Sequence, residues 1–171
     1  MEKYELDGEI YYYKDGKWVD GSFLAVPTVI MRKLNKLIVN SDEYKMKTAK
    51  ELIEIINNAK GTDNLQLAGQ ALEDALDKAN INQIRMILPR LSSWFRKQGE
   101  SRKAIQVSKD YTEKYGKKVY SSALFTSIAA AYCDIDDYET AKKFADLAFN
   151  YNGGFSSLEL SSVYGRIEKE S

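Results

Sequence analysis

The chain contains no histidine, one cysteine and two prolines among its 171 residues. Without an imidazole, Ser-His-Asp and Cys-His nucleophile pairs are excluded, and so are the usual imidazole acid or base and nearly all zinc sites. Carboxylates, lysines and tyrosines are what remains for chemistry. Cys133 alone cannot close an internal disulfide, which fits a reducing cytoplasm. No run of eighteen apolar residues occurs, and the opening residues Met1 to Glu5 are acidic and aromatic where a secretory signal would be basic and then apolar. The expectation is a cytoplasmic protein with no membrane partner. The ten glycines punctuate turns and build no phosphate-cradling loop.

Charge is balanced overall but not along the chain. Twenty-five basic residues offset twenty-five acidic ones, yet the segment Arg85 to Lys118 holds ten basic residues against three acidic ones. Residues 122 to 171 reverse the sign, with four basic and eight acidic residues. Such a dipole can steer an acidic partner, and it equally describes solvated helix faces that complement one another.

Residues 1–26 read as a β-hairpin appendage to a helical domain over 27–171. Tyr4 to Leu6 forms a short strand, Asp7-Gly8 a turn, and Glu9 to Lys14 a strand rich in β-favouring aromatics. Asp15-Gly16 is then a two-residue turn, and Lys17 to Asp20 returns with Tyr13 opposite Trp18 and Tyr12 opposite Val19. Tyr11, Tyr13 and Trp18 share one face in this register. They form either an aromatic contact patch or a cap on the helices, and the cap is favoured because a lone hairpin is marginal in water.

Pro27 suits the first turn of a helix. Val29, Ile30, Leu34, Leu37 and Ile38 then fall on one side, and Asn40, Ser41 and Asp42 break the pattern. A second helix is expected from about Asp42 to Lys60, with Leu52, Ile55, Ile56 and Ala59 inward. Downstream, Phe125, Ile128, Ala129 and Tyr132 share a helix face, and after the turn Asp136-Asp137 so do Ala141, Phe144, Ala145 and Ala148. Alanines at these points allow close backbone approach. The arrangement recurs upstream: Ala68, Ala104 and Ala141 each follow a turn after an amphipathic helix, at spacings of 36 and 37 residues. That period indicates stacked helix-turn-helix units.

Here the chain resembles the tetratricopeptide-repeat family. The stretch DDYETAKKFADLAF is similar to the family's acidic-aromatic turn, small residue, aromatic and closing alanine. Tyr138, Ala141, Ala145 and Ala148 stand in register. The similarity covers about Ala49 to Gly154, in repeats near 49–82, 85–118 and 122–155 with a capping helix over 157–169. It implies a right-handed α-solenoid of helical hairpins. Asn80, Gly116 and Gly153 replace the family's closing proline. Pro89, inside the first helix of the middle repeat, is expected to kink that helix or make it start near Leu88.

No catalytic constellation, metal site or cofactor is indicated. Cys133 beside Asp134 reads as a small packing residue, and Asp134, Asp136 and Asp137 as a solvated turn. The resemblance implies partner binding in the groove lined by the first helix of each repeat. Carried over, that groove has Lys50, Asn57 and Lys60, then Arg90, Arg96 and Lys97, then Thr126 and Ala130. Its basic part suits an acidic segment. The leading expectation is a non-enzymatic protein- or peptide-binding adaptor, a subunit of a larger bacterial-type complex. The alternative is a nucleic-acid binder using residues 85–118, with Tyr11, Tyr13 and Trp18 stacking on bases.

Overall fold

In the computed structural model, which describes residues 1–58 and 65–170, the dipeptides Asp7-Gly8 and Asp15-Gly16 take positive φ at both positions: 53° and 83°, then 50° and 77°. These are the backbone angles that two-residue hairpin turns require, and glycine adopts them without a Cβ clash. They connect β1 (Glu2–Leu6), β2 (Glu9–Lys14) and β3 (Lys17–Asp20) into an antiparallel sheet in the order β1-β2-β3. Tyr13 pairs with Trp18 and Tyr12 with Val19, as the turn chemistry predicts. The first strand begins two residues earlier than expected, at Glu2.

The chain divides into two compact units, Met1–Lys78 and Ala79–Ser171. The first holds the sheet together with α1 (Thr28–Asn40), α2 (Asp42–Lys45), α3 (Ala49–Asn58) and α4 (Leu65–Lys78). Helix α1 turns inward a face centred on Leu34, Asn35 and Ile38, while Val29 and Leu37 are exposed. This departs from the apolar pattern, because the Trp18 indole donates to Asn35 Oδ1 at 2.8 Å and draws a polar residue inside. The expected helix from Asp42 onward is in fact two. Ser41 caps α2 through the Tyr44 amide, and Thr48 and Glu51 form a reciprocal capping box that starts α3 afresh.

Helices α3 and α4 form a hairpin whose buried residues include Leu52, Ile56, Ala68, Leu72 and Ala75. The Lys78 ammonium donates to the carbonyls of Lys45 and Lys47, both at 2.8 Å, tying the α2–α3 joint to the end of α4. Ala59 and the turn expected at Gly61 to Asp63 lie outside the described residues.

The second unit holds α5 (Ile81–Lys97), α6 (Ser101–Tyr115), a 3-10 turn (Gly116–Val119), α7 (Ser122–Asp134), α8 (Tyr138–Tyr151) and α9 (Leu158–Glu170). Among the described residues the protein therefore has nine α-helices and one small sheet, and it is mainly helical. Helices α5 and α6 form one hairpin and α7 and α8 another. Helix α7 packs on both members of the first hairpin, and α9 on both members of the second. Ala104, Ala129, Ala141, Ala145 and Ala148 are completely buried where these backbones meet. The Asn80–Gln83 capping box begins α5 at Ile81, so the helix passes through Pro89 and does not start near Leu88. The cap supplies the start, and Pro89 removes only one internal donor. In α9, Leu160, Val163 and Ile167 are buried, and Leu158 is 88 % exposed at its first turn.

Candidate functional site

A cleft of about 550 Å³ runs across the second unit between α6, α7 and α8. Its walls follow from three helical stripes. Helix α6 supplies Ile105, Lys109 and Thr112, one side at i, i+4 and i+7. Helix α7 supplies Phe125, Ile128 and Tyr132, and α8 supplies Phe144, Leu147 and Tyr151. Tyr120, just before α7, closes one end. The alanine face of α8 lies hard against its neighbours, so the larger side chains on its flank stand out beside α7 and make a wall.

The rings form a continuous set. Tyr132 stacks on Phe144 at 5.6 Å with planes 11° apart. Phe125 meets Tyr120 edge-on at 5.1 Å and Tyr151 at 5.6 Å. Phe125 is buried, whereas Leu147 and Tyr151 at the mouth keep 47 % and 49 % of their surface exposed. Among the described residues, the hydroxyls of Tyr120, Tyr132 and Tyr151 have no hydrogen-bond partner, and the Lys109 ammonium has no carboxylate partner. Among the described residues the lining contains no acidic residue. Size and chemistry match a binding pocket, mainly apolar with a few polar atoms able to orient a guest.

A second, smaller cleft of about 410 Å³ lies along α5, α7 and α9. Three of the groove residues picked from the sequence meet there: Arg96, Thr126 and Ala130. Thr126 and Ala130 are buried, and the Thr126 hydroxyl donates to the Ser122 carbonyl of its own helix. Arg96 is bound to Asp134, with Nε to Oδ2 at 2.7 Å and Nη2 to Oδ1 at 3.3 Å. The same carboxylate accepts from Ser101 at 2.7 Å and pairs with Arg166 at 2.9 Å. Burial pushes the Asp134 pKa up, but the bonds from Arg96, Ser101 and Arg166 outweigh it and hold the carboxyl below its usual range. Both guanidiniums in this cleft are therefore already neutralised in part by one internal anion.

Lys97 lines a neighbouring cleft together with Arg96 and Asp134. Arg90 is half-buried and Lys97 exposed on α5, while Lys50 and Asn57 are exposed on α3 in the first unit. Lys60 lies outside the described residues. Of the acidic turn, Asp137 accepts from the Thr140 amide to cap α8, and Asp136 accepts from the Tyr138 hydroxyl. Cys133 is buried, and burial pushes its thiol pKa up, as suits a packing residue.

Tyr11 and Trp18 are buried in the first unit, and Tyr13 is half-buried. The Trp18 ring packs on those of Tyr13 at 4.9 Å and Tyr4 at 5.0 Å. At 3 % exposure the indole offers no free face for a stacked base. Tyr12 stacks on the exposed Phe23 at 5.6 Å in the same unit, and a larger aromatic set that reaches solvent lies in the other unit, around Phe125. Its signal in the sequence is a second stripe on α8, at Phe144, Leu147 and Tyr151, facing a matching stripe on α6. Compared with protein-family models, with curated proteins and with solved structures, the chain matches none.

Proposed function

We propose that this protein is a non-enzymatic interaction module, built from tetratricopeptide-like hairpins, that receives an apolar segment of a partner protein between α6, α7 and α8. One observation carries the reading: a ring-lined cleft of about 550 Å³ reaches the surface with three phenol hydroxyls unpartnered among the described residues. Apolar area facing water is costly, at about 25 cal/mol per Å², and covering it is what drives a partner to dock. Aromatic side chains are also what interface cores favour. The role is that of an adaptor, contributing shape and apolar surface and no reaction.

Site-specific photocrosslinking tests this in cells that express the protein. A benzophenone amino acid at Tyr151 is expected to give a discrete adduct with one other protein, and Phe144→Arg is expected to remove it. The same group at Glu168 on α9 serves as the control. Identical adducts from both positions, or an adduct of twice the chain's own mass, would overturn the proposal.

A further inference from the structure

We infer that the occupant of the α6–α7–α8 cleft is a partner segment in which a large apolar side chain stands beside an aspartate or glutamate. This rests on the interaction-module reading and narrows it to a chemical class.

The apolar part follows from the walls. Phe125 and Ile128 form a floor that is each 5 % exposed, with half-buried rings on either side. A guest that covers Leu147 and Tyr151 at the mouth must itself be apolar to gain from the contact. The acidic part follows from the polar atoms. Among the described residues Lys109 is the one charged member of the lining, and no carboxylate pairs with it. On the same helix Asp110 accepts from Gln106, and neither it nor Glu113 forms an ion pair with Lys109 among the described residues. A phenol hydroxyl can donate to a carboxylate, and Lys109, exposed at the edge of the cleft, adds the modest attraction of a solvent-facing ion pair.

Aromatic rings also attract cations through their faces, which would argue for a basic guest. Lys109 weighs against that, because it would meet a basic guest with like charge.

The test is an NMR titration of the full chain, following backbone amide and aromatic resonances, with four blocked dipeptides: acetyl-Phe-Glu-amide, acetyl-Phe-Gln-amide, acetyl-Phe-Lys-amide and acetyl-Ala-Glu-amide. The Phe-Glu probe is expected to shift Phe125, Phe144 and Tyr151 and to bind about three- to five-fold more tightly than Phe-Gln, the range of a partly exposed ion pair. Phe-Lys should bind more weakly than Phe-Gln, and Ala-Glu should leave these rings unmoved. Lys109→Gln should erase the preference for Glu over Gln. Equal affinity for Phe-Glu and Phe-Gln, or tightest binding by Phe-Lys, overturns the acidic assignment while the cleft remains a site for apolar segments. If no probe moves the cleft resonances, the interaction reading falls with it. Cleft shifts that depend on protein concentration alone would assign the surface to a second copy of the chain. Tighter binding of 4-phenylbutyrate than of Phe-Glu would assign it to a free amphipathic acid. Either result overturns the inference.

Discussion

The Arg96 guanidinium donates through Nε to Asp134 at 2.7 Å, so a cation near the end of α5 is held by an anion at the end of α7. A carboxylate at a helix C-terminus opposes the helix dipole, and Arg96 with Arg166 supplies the compensating charge. Ser101 adds the first residue of α6, so one carboxylate joins four helices of the second unit.

Replacing this carboxylate should therefore loosen the second unit as a whole. Asp134→Ala leaves two guanidiniums and a hydroxyl without their acceptor, and about 2 kcal/mol is the expected loss for charged hydrogen bonds of this kind. The Asp134 side chain keeps 22 % exposure, so solvent screens part of the charge and larger losses are not expected. The two tryptophans, Trp18 and Trp94, stand one in each unit, so Trp94 fluorescence in a Trp18→Phe background isolates the relevant transition. A urea midpoint unchanged by Asp134→Ala would show that the carboxylate braces nothing.

The same contact fixes a pH dependence. The folded Asp134 pKa lies below its unfolded value, so its stabilisation is fully present above the ordinary aspartate range and is lost as pH falls through the folded pKa. Glu51 and Asp137 shift the same way through their bonds to Thr48 and Thr140. Below pH 4 the wild-type urea midpoint should fall. In Asp134→Asn the fall should be shallower, because that variant has already lost the titrating group. Parallel curves for the two proteins across this range would remove Asp134 from the account.

In the first unit the corresponding contact is Trp18 with Asn35, at 2.8 Å and buried on both sides. Asn35→Leu fills the space but leaves the indole N–H facing an apolar side chain, a cost of about 1–3 kcal/mol. Asn35→Asp keeps an acceptor and should recover part of it near neutral pH. The readout is Trp18 fluorescence during urea unfolding in a Trp94→Phe background. Equal midpoints for wild type and Asn35→Leu would mean the bond contributes nothing.

This contact also shows why part of the fold was legible in the sequence and part was not. The sheet register could be read because Asp-Gly at two turn positions leaves the chain almost no other geometry. The inward face of α1 could not, since apolar spacing weights Val29 and Leu37 and is blind to an asparagine placed by a partner in another element. The break before α3 had a local signal, Thr48 followed three residues later by Glu51, which the run of inward residues from Leu52 overshadowed. The cleft was obscured for a related reason. Phe144 lies among Ala141, Ala145 and Ala148 in sequence, and only the packing separates the alanine face from the flank that Phe144 shares with Leu147 and Tyr151.

Tyr164 offers a test at the opposite end of the pH scale. Its hydroxyl donates to Asp146 at 2.8 Å, and burial together with that bond pushes its pKa up to about 12. A phenol pKa raised on folding stabilises the native state below the unfolded value near 10, and that contribution disappears as pH rises toward 12. Tyr164→Phe should lower stability by about 1 kcal/mol at neutral pH and flatten the loss above pH 10. An unchanged alkaline profile in the variant would place the effect elsewhere.

Ala141 tests the packing on which the cleft depends. It is completely buried on α8, three residues before Phe144, at the point where small side chains let α8 approach its neighbours. Ala141→Leu adds volume where there is none and should cost about 1–3 kcal/mol, whereas Ala123→Leu on the exposed side of α7 should cost little. Trp94 fluorescence in the Trp18→Phe background would show the difference as a lower urea midpoint for Ala141→Leu alone. Because a displaced α8 carries Phe144, Leu147 and Tyr151 with it, the same variant should also weaken binding of acetyl-Phe-Glu-amide while it is still folded. Retained affinity in a destabilised Ala141→Leu protein would mean that the rings on α8 are positioned independently of the alanine face, contrary to the geometry described for this wall.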